Sequence, residues 1–383
     1  MNRETMTQKT KNSIRNPAGP RMDASLVTVT LVLVVIGLIM MFSASYANAY
    51  YMYGDSFHFI KRQAVYAVLG IAAMFFFSNV NYHIYHRLAW PLMIASLVLL
   101  VLTLFMPELN GAKRWIIIGG FTFQPSEIVK FAVIVLFAHF ASTEPEKMKT
   151  FKYGFLRPLA ILGVIAVIML QQPHLSGTIL ICLVGCVLMF VGGTKARWFG
   201  VTAVTVLPLG VAFVYLADKM DYAMQRVQMW INPFQDPTGE GHQIIQSLLA
   251  IGSGGLMGLG LGNSRQKHLY VPEPQNDFIF SIICEELGFI GALFVILLFL
   301  VFIFRGFAVA MHARDKFGAM LAIGVTTQIG VQAFLNIAVV SGAIPNTGIS
   351  LPFFSQGGTS LAMLLAEVGV LLSVSRYSML KKL

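Results

Sequence analysis

Long apolar runs separated by short polar stretches dominate the chain, and each run is continuous rather than alternating. A helix of about 20 apolar residues crosses a bilayer, where only helices and closed barrels satisfy their backbone. Continuous runs favour helices, because strands of a membrane barrel alternate apolar and polar positions. The pattern therefore predicts an all-α polytopic integral membrane protein. Its ten transmembrane helices are predicted at 24–46, 62–80, 87–106, 124–142, 156–172, 175–192, 197–217, 276–304, 317–340 and 356–376.

Composition agrees with a membrane protein. Hydrophobic residues make up 56% of the chain and charged residues only 11%, whereas soluble domains carry about a quarter charged residues. The three cysteines lie inside predicted spans, which excludes a disulfide framework and favours a packing role.

The charge distribution predicts the topology. Ten spans place both termini on one side, and 18 of the 27 lysines and arginines fall on that side. The positive-inside rule makes both termini cytoplasmic. The net charge of +10 is then mainly a topology signal, and no basic soluble face indicates nucleic-acid binding. The predicted organisation is a disordered basic cytoplasmic tail (1–22), a membrane domain (23–377) and a cytoplasmic C-terminal tail (378–383).

Two connections between spans stand out. The polar "QQPHLSG" between the fifth and sixth runs is either a short outer turn or a break in one helix. Residues 218–275 form a large extracytoplasmic loop between helices 7 and 8, with two short amphipathic segments, "MDYAMQRVQMWI" and "HQIIQSLLAIG". Loops of this length inside compact proteins usually have a function.

Four acidic residues near membrane depth, one of them close to a lysine, are candidates for chemistry. Glu127 and Lys130 share one helix face, either as a structural ion pair or as part of a substrate cavity. Asp277 precedes the eighth run and suits either a helix cap or a catalyst. Glu285 and Glu286 lie inside that run, at angles that do not pair them with Asp277 as an acid–base dyad.

The outer cations are candidate partners of phosphate, although each one alone is more often solvated or in contact with a lipid headgroup. Arg265 and Lys267 lie ten to twelve residues before Asp277. One isolated carboxylate among scattered cations suits a transfer in which a diphosphate leaves, because that reaction needs a base and charge compensation but no general acid. No metal-ligand spacing, Walker loop or Ser-His-Asp pattern is visible. These residues do not identify the substrate.

Five motifs carry a resemblance to a known family: "NGAKRWI", "QPSEIVK", "QQPHLSGT", "GLGNSRQKHLYVPEPQNDFIFSIICEELGFIGA" and "GISLPFFSQGGTSL". Together they resemble the SEDS proteins of bacterial shape, elongation, division and sporulation, over residues 23–377. "SRQKHLYVPEPQNDFIF" is closer to the FtsW and SpoVE branch than to RodA.

The resemblance implies a peptidoglycan glycosyltransferase that polymerises lipid II into glycan strands on the outer face of the bacterial cytoplasmic membrane, at the division septum or in sporulation. It implies that Asp277, the aspartate of the "NDFIF" motif, is the essential catalytic residue. This chain has His174 at a position where many members of the family have an acid. The difference indicates that the reaction does not require an acid at this position. The candidate substrate-binding residues, taken from these motifs and from the outer cations, are Glu127, Lys130, Arg114, Trp115, Arg265, Lys267, Gln124, Ser126 and Asn276.

The resulting hypothesis makes Asp277 the general base for the 4-hydroxyl of an acceptor lipid II, with undecaprenyl diphosphate as the leaving group and a β-1,4 linkage as the product. Lys130, helped by Arg114, Arg265 or Lys267, would offset the diphosphate charge. The expected partners are lipid II, a class B penicillin-binding protein transpeptidase and other division or sporulation proteins. A divalent cation, Mg²⁺ or Mn²⁺, is compatible with this chemistry. The alternatives are a lipid II flippase and a non-catalytic scaffold of the division machinery.

Overall fold

The computed structural model describes residues 22–108, 113–118, 121–201, 228–237, 239, 241–267 and 274–378. The predicted seventh span lies largely outside the described residues. Nearly all of both predicted tails lies outside them too, as does part of the long loop between helices 7 and 8.

Helices make up almost all of the described structure, and the predicted all-α fold class is confirmed. Ten helices with defined bounds are α1 (Ala24–Tyr53), α2 (His58–Asn79), α3 (His83–Leu102), α4 (Pro125–Thr143), α5 (Arg157–Gln171), α6 (Leu175–Gly192), α7 (His242–Gly254), α8 (Ile279–Met311), α9 (Lys316–Val340) and α10 (Gly358–Tyr377). Short 3₁₀ turns cover Thr103–Phe105, Lys147–Lys149 and Pro233–Gln235, and a π-helical turn over Phe151–Leu156 precedes α5.

Within the described residues, nine helical segments are long and apolar enough to cross a membrane, and α7 is not among them. The segment that contains α5 reaches this length only together with the π-helical turn, as Phe151–Gln171. The predicted sixth span matches α6, whereas α2 and α3 each begin four residues earlier than predicted, at His58 and His83. The "QQPHLSG" stretch is a short turn between two separate helices, because α5 ends at Gln171 and α6 begins at Leu175.

Helix α4 lies at the centre of the bundle. It packs against α3, α6, α9 and α10, and 78% of its most apolar window is buried, against 22% for α2. A helix surrounded by other helices can carry ionisable side chains, because they face protein instead of lipid.

A two-stranded hairpin precedes α4. Strand β1 (Ile116–Ile118) pairs antiparallel with β2 (Phe121–Phe123), and Ile116 lies opposite Phe123. Gln124 then forms the N-cap of α4, with Pro125 at the first helical position, where its missing N–H costs nothing. The hairpin therefore brings Arg114 and Trp115, which precede β1, next to Gln124 and the first turn of α4.

Helix α8 is kinked at Gly288, whose φ of +68° is left-handed. A side chain there would collide with the loop, since a Cβ would lie 2.3 Å from the backbone nitrogen of Gly258. The loop satisfies the backbone groups that the kink releases: the amides of Leu259 and Gly260 donate to the carbonyls of Glu285 and Glu286 at 2.9 and 3.0 Å. Backbone groups at membrane depth require such partners, so the glycine loop and the kink belong to one structural unit.

Candidate active site

A polar cavity of about 310 Å³ opens at the end of the bundle where α4 begins. Its walls come from the segment before β1, the first turn of α4, the start of α6, the segment before α8, and the loop between α9 and α10. Eight of the ten residues predicted for the site line it: Arg114, Trp115, Gln124, Ser126, Glu127, Lys130, Asn276 and Asp277. The structure thus brings together residues from three distant motifs.

Glu127 and Lys130 form an ion pair on the cavity wall, with Lys130 Nζ 2.7 Å from Glu127 Oε2. Both residues are buried, at 8% and 6% exposure. Glu127 lies in the first turn of α4, where the helix dipole favours a negative charge. A buried charge is tolerated only with a partner, so Glu127 fixes the position of the Lys130 ammonium beside the cavity.

Asp277 is half-buried at the cavity edge, in a turn that ends where α8 begins. Its backbone carbonyl accepts a hydrogen bond of 2.7 Å from the amide of Asn336 in α9, and the same amide donates to the carbonyl of Ile349 at 2.6 Å. Gly348, in the loop between α9 and α10, lies close to the carboxylate, because a Cβ added there would be 3.2 Å from Asp277 Oδ2. The backbone of Asp277 is therefore fixed by α9, and its carboxylate lies beside the loop between α9 and α10. The N-cap of α8 is Phe278, one residue after Asp277.

Arg114 is held near Asp277 by backbone carbonyls of the turn between α5 and α6. Its Nε donates to the carbonyl of Gln172 at 3.3 Å, and its Nη2 donates to that of Pro173. Burial lowers the pKa of Arg114, and the negative charge of Asp277 opposes that shift. Since an arginine pKa starts so high, the guanidinium stays charged and faces the same space as the Asp277 carboxylate.

A second cavity of about 280 Å³ adjoins the first. The two share Arg114, Ser176, Asn276, Asp277 and Gly348. The second cavity continues past Gln243 and Asn346, whose side chains are hydrogen-bonded at 3.1 Å. Asp277 and Arg114 consequently lie at the junction of two polar spaces.

Lys267 does not face either cavity, contrary to the prediction that it offsets substrate charge. It is fully buried, and its Nζ lies 2.9 Å from Glu286 Oε1 and 2.6 Å from the carbonyl oxygen of Gly262. The physical reason is the pair of acids inside α8, which need compensation where no water reaches. Lys267 neutralises Glu286, while Glu285 accepts from the backbone N–H of Arg265 at 2.9 Å.

Arg265 also lies outside the lining of both cavities, with its side chain exposed. Neither Glu285 nor Glu286 lines them, which agrees with the prediction that these acids do not form a dyad with Asp277.

Comparison with known sequences places the chain in a family. Residues 23–380 match the family described as cell cycle protein, which groups FtsW, RodA and SpoVE. The chain belongs to this family. Stage V sporulation protein E of Bacillus subtilis (strain 168) is 45% identical over 363 residues, covering 93% of this chain and 97% of that protein. A probable peptidoglycan glycosyltransferase FtsW of Geobacter sulfurreducens (strain DL-1 / KN400) is 40% identical over 359 residues, covering 93% and 95%.

Solved structures of SEDS proteins share the fold. A chain from a structure described as the structural coordination of polymerization and crosslinking by a peptidoglycan synthase complex superposes with a TM-score of 0.77. It is 29% identical, over 93% of this chain and 98% of that chain. The rod shape determining protein RodA of Thermus thermophilus superposes with a TM-score of 0.68 at 26% identity, over 94% and 98%.

In this SEDS protein, His174 belongs to the cavity wall. Burial lowers the pKa of His174 to about 3, and the charges of Arg114 and Lys130 act in the same direction. The imidazole is therefore neutral near pH 7. Its Nε2 lies 3.5 Å from Gln124 Nε2.

Sequence reasoning missed the polar side of α9. Gln328, Gln332 and Asn336 recur every four residues and therefore share one face of the helix. Gln332 lines the cavity, Asn336 holds Asp277, and deeper in the bundle Gln328 donates a 2.7 Å hydrogen bond to the buried Glu367. The four-residue repeat of amide side chains is the sequence signal for this face.

No cluster of three or more histidine, cysteine, aspartate or glutamate side chains arranged for a metal ion occurs in the described ranges. In the cavity, the carboxylate of Glu127 is already engaged by Lys130. The remaining oxygen ligands in the cavity are the carboxylate of Asp277 and neutral oxygens such as those of Asn276 and Ser350. This set of ligands is not a dedicated cation site. The compatibility with Mg²⁺ or Mn²⁺ stays a prediction.

Proposed function

We propose that this SEDS protein polymerises lipid II into β-1,4 glycan strands at the cavity that contains Asp277. The observation that carries the proposal is the placement of one carboxylate at the junction of two polar cavities, with two positioned cations nearby. Glycosyl transfer between two lipid-linked sugars needs space on both sides of the base, one for each sugar. The names of the FtsW relatives support the same enzyme class.

In the proposed reaction, the Asp277 carboxylate takes the proton of the 4-hydroxyl of the acceptor sugar. The hydroxyl oxygen attacks the anomeric carbon of the donor, and the bond from that carbon to the diphosphate oxygen breaks. Undecaprenyl diphosphate leaves with the bonding electrons, and attack from the opposite face inverts the configuration to β-1,4. No general acid is required, because a charge-compensated diphosphate is already a good leaving group.

Arg114 and Lys130 are proposed to compensate the diphosphate charge. Both are held before substrate arrives, Arg114 by two backbone carbonyls and Lys130 by Glu127. Fixed cations stabilise developing charge without reorganising during the reaction. Lys267 is left out of this role because its ammonium is buried against Glu286, and Arg265 is at most a contact on the exposed approach.

The site is proposed to face the outer side of the cytoplasmic membrane at the division septum or during sporulation, as the charge distribution and the family relationship suggest. The proposed partner is a class B penicillin-binding protein, which would crosslink the strands. The likeness to a chain of a peptidoglycan synthase complex that couples polymerization to crosslinking supports this pairing.

Transport of lipid II remains the second candidate, and one observation favours it. The fully buried pair Gln328–Glu367 extends polar groups deeper into the bundle than the sequence indicated. A transporter needs such groups along its path, whereas a polymerase needs them only at its site.

One pair of assays on the purified protein with its cognate transpeptidase separates the candidates. Glycan strands from lipid II in detergent support the polymerase, since detergent leaves no compartment across which to transport. Movement of labelled lipid II across liposomes without strand formation supports the transporter and overturns the proposal.

A further inference from the structure

A third cavity, about 100 Å³ in volume, lies at the opposite end of α4 from Glu127. His139 and Thr143 near the end of α4 line it together with Arg157, the first residue of α5. His139 follows Glu127 by twelve residues, which corresponds to about 18 Å along a helix. The cavity is therefore separate from the candidate active site and lies on the predicted cytoplasmic side. The rest of its wall consists of Phe140, Glu144, Lys147, Met148 and Tyr153.

Arg157 differs from the other charged residues of this cavity in being held by two aromatic rings. Its guanidinium lies over two aromatic rings, 4.3 Å from the centre of Phe140 and 5.3 Å from that of Trp90. Across the part of the chain that the structure describes, no carboxylate forms an ion pair with it and no acceptor hydrogen-bonds to it. Stacking between rings holds a guanidinium in place while leaving its N–H donors free.

A ring nitrogen and an ammonium group line the same space. The Nδ1 atom of His139 is buried and has no hydrogen-bond partner among the described residues. Lys147 lies over the ring of Tyr153 at 5.4 Å and pairs with Glu144 at 2.9 Å. Since that pair balances itself, the charge of Arg157 remains uncompensated. Arg157 and Glu144 are both close enough to His139 to interact with it electrostatically.

We propose that this cavity binds a phosphate group on the cytoplasmic side of the membrane. The planar guanidinium presents a fork of donors that matches phosphate oxygens, and the volume suits one tetrahedral oxyanion rather than a nucleotide or a sugar. Two sources share this chemistry, the headgroup of an anionic lipid and free phosphate. The exposed side chains of Tyr153, which lines the cavity, and Trp90, which stacks on Arg157, are typical of a membrane interface and favour the lipid.

The test measures binding to the full-length protein in phosphatidylcholine nanodiscs. Phosphatidylglycerol is titrated in one arm and inorganic phosphate in the other, with the shift in thermal unfolding as the readout. Arg157→Gln is compared with Lys149→Gln, which removes an exposed cation paired with Glu146 outside the cavity. Loss of charge-assisted hydrogen bonds is expected to raise the half-saturating phosphatidylglycerol concentration about tenfold in Arg157→Gln and to leave Lys149→Gln like wild type.

The two arms identify the source. Saturation of wild type by phosphatidylglycerol alone assigns the cavity to a headgroup, and saturation by inorganic phosphate that competes with the lipid assigns it to free phosphate. If Arg157→Gln does not fold, Arg157→Lys carries the test, because it keeps the charge but loses the fork, and weaker binding is expected. Wild-type affinity in the variant that folds, or no shift of wild type with either probe, would overturn the proposal.

Discussion

Lys267→Met removes the cation from a carboxylate buried at the start of α8. Lys267 and Glu286 are both fully buried, with Nζ 2.9 Å from Oε1. Breaking a buried pair by removing one partner costs about 3–5 kcal/mol, because the remaining charge is stranded. Glu286 keeps hydrogen bonds from the Ser43 hydroxyl and the Ser264 amide, so we expect a loss near the lower end, about 3 kcal/mol.

The double variant Lys267→Met/Glu286→Gln should recover most of that loss, since no uncompensated charge remains. The assay is thermal unfolding of the purified variants in detergent, arranged as a double-mutant cycle. Lys61→Met is the matched control. Lys61 pairs with Asp55 at 2.8 Å, but its side chain is 67% exposed, and an exposed pair contributes little.

The outcome separates a structural from a catalytic role for Lys267. A Lys267→Met protein as stable as wild type that makes no glycan would refute the structural reasoning and restore the original prediction of a substrate-binding cation. Equal destabilisation by Lys61→Met would also contradict it, because burial would then not decide the cost.

Three further predictions concern single positions. Asn336→Asp removes the amide that donates to the Asp277 carbonyl. We therefore expect slower turnover with little change in KM, measured by lipid II polymerisation. Unchanged turnover would contradict the positioning role of Asn336. Burial lowers the pKa of His174 to about 3 from about 6.5 in the unfolded chain. The unfolded state therefore binds more protons between these values, and stability falls as pH drops through this range, by at most about 1.4 kcal/mol per unit. His174→Gln should remove that part of the pH dependence in unfolding experiments, and an identical pH profile would count against it. Gly288→Ala places a Cβ 2.3 Å from the Gly258 nitrogen, at a residue with left-handed backbone. Expression and thermal stability of this variant should fall sharply. A wild-type melting curve would disprove the close packing.

The continuous apolar runs predicted the fold class well, because membrane spans are long local signals. The predicted ends of the helices were less accurate than the predicted fold class. The eighth span was predicted from residue 276, whereas α8 begins at Ile279, since the acid and its neighbours form a turn held by α9. Such a turn depends on contacts from a distant helix, which no local pattern contains.

The residues of the candidate site also differ in how well the sequence predicted them, according to whether the signal was local. Glu127 and Lys130 were placed together correctly, because their spacing of three residues on a helix is local. The meeting of Arg114 and Asp277 joins distant parts of the chain, and only the family resemblance suggested it. Lys267 was misplaced because nearness in sequence to Asp277 was taken as nearness in space, while the need of Glu286 for a buried cation decided its position.

The most direct test of the central proposal compares wild type with Asp277→Asn in single-turnover polymerisation of lipid II, in the presence of the cognate transpeptidase. Asparagine keeps the size of the side chain but cannot take a proton. The proposal predicts a rate lower by about 10²–10⁴-fold, with unchanged thermal stability and transpeptidase binding. A folded Asp277→Asn protein that makes strands at the wild-type rate would show that Asp277 is not the base.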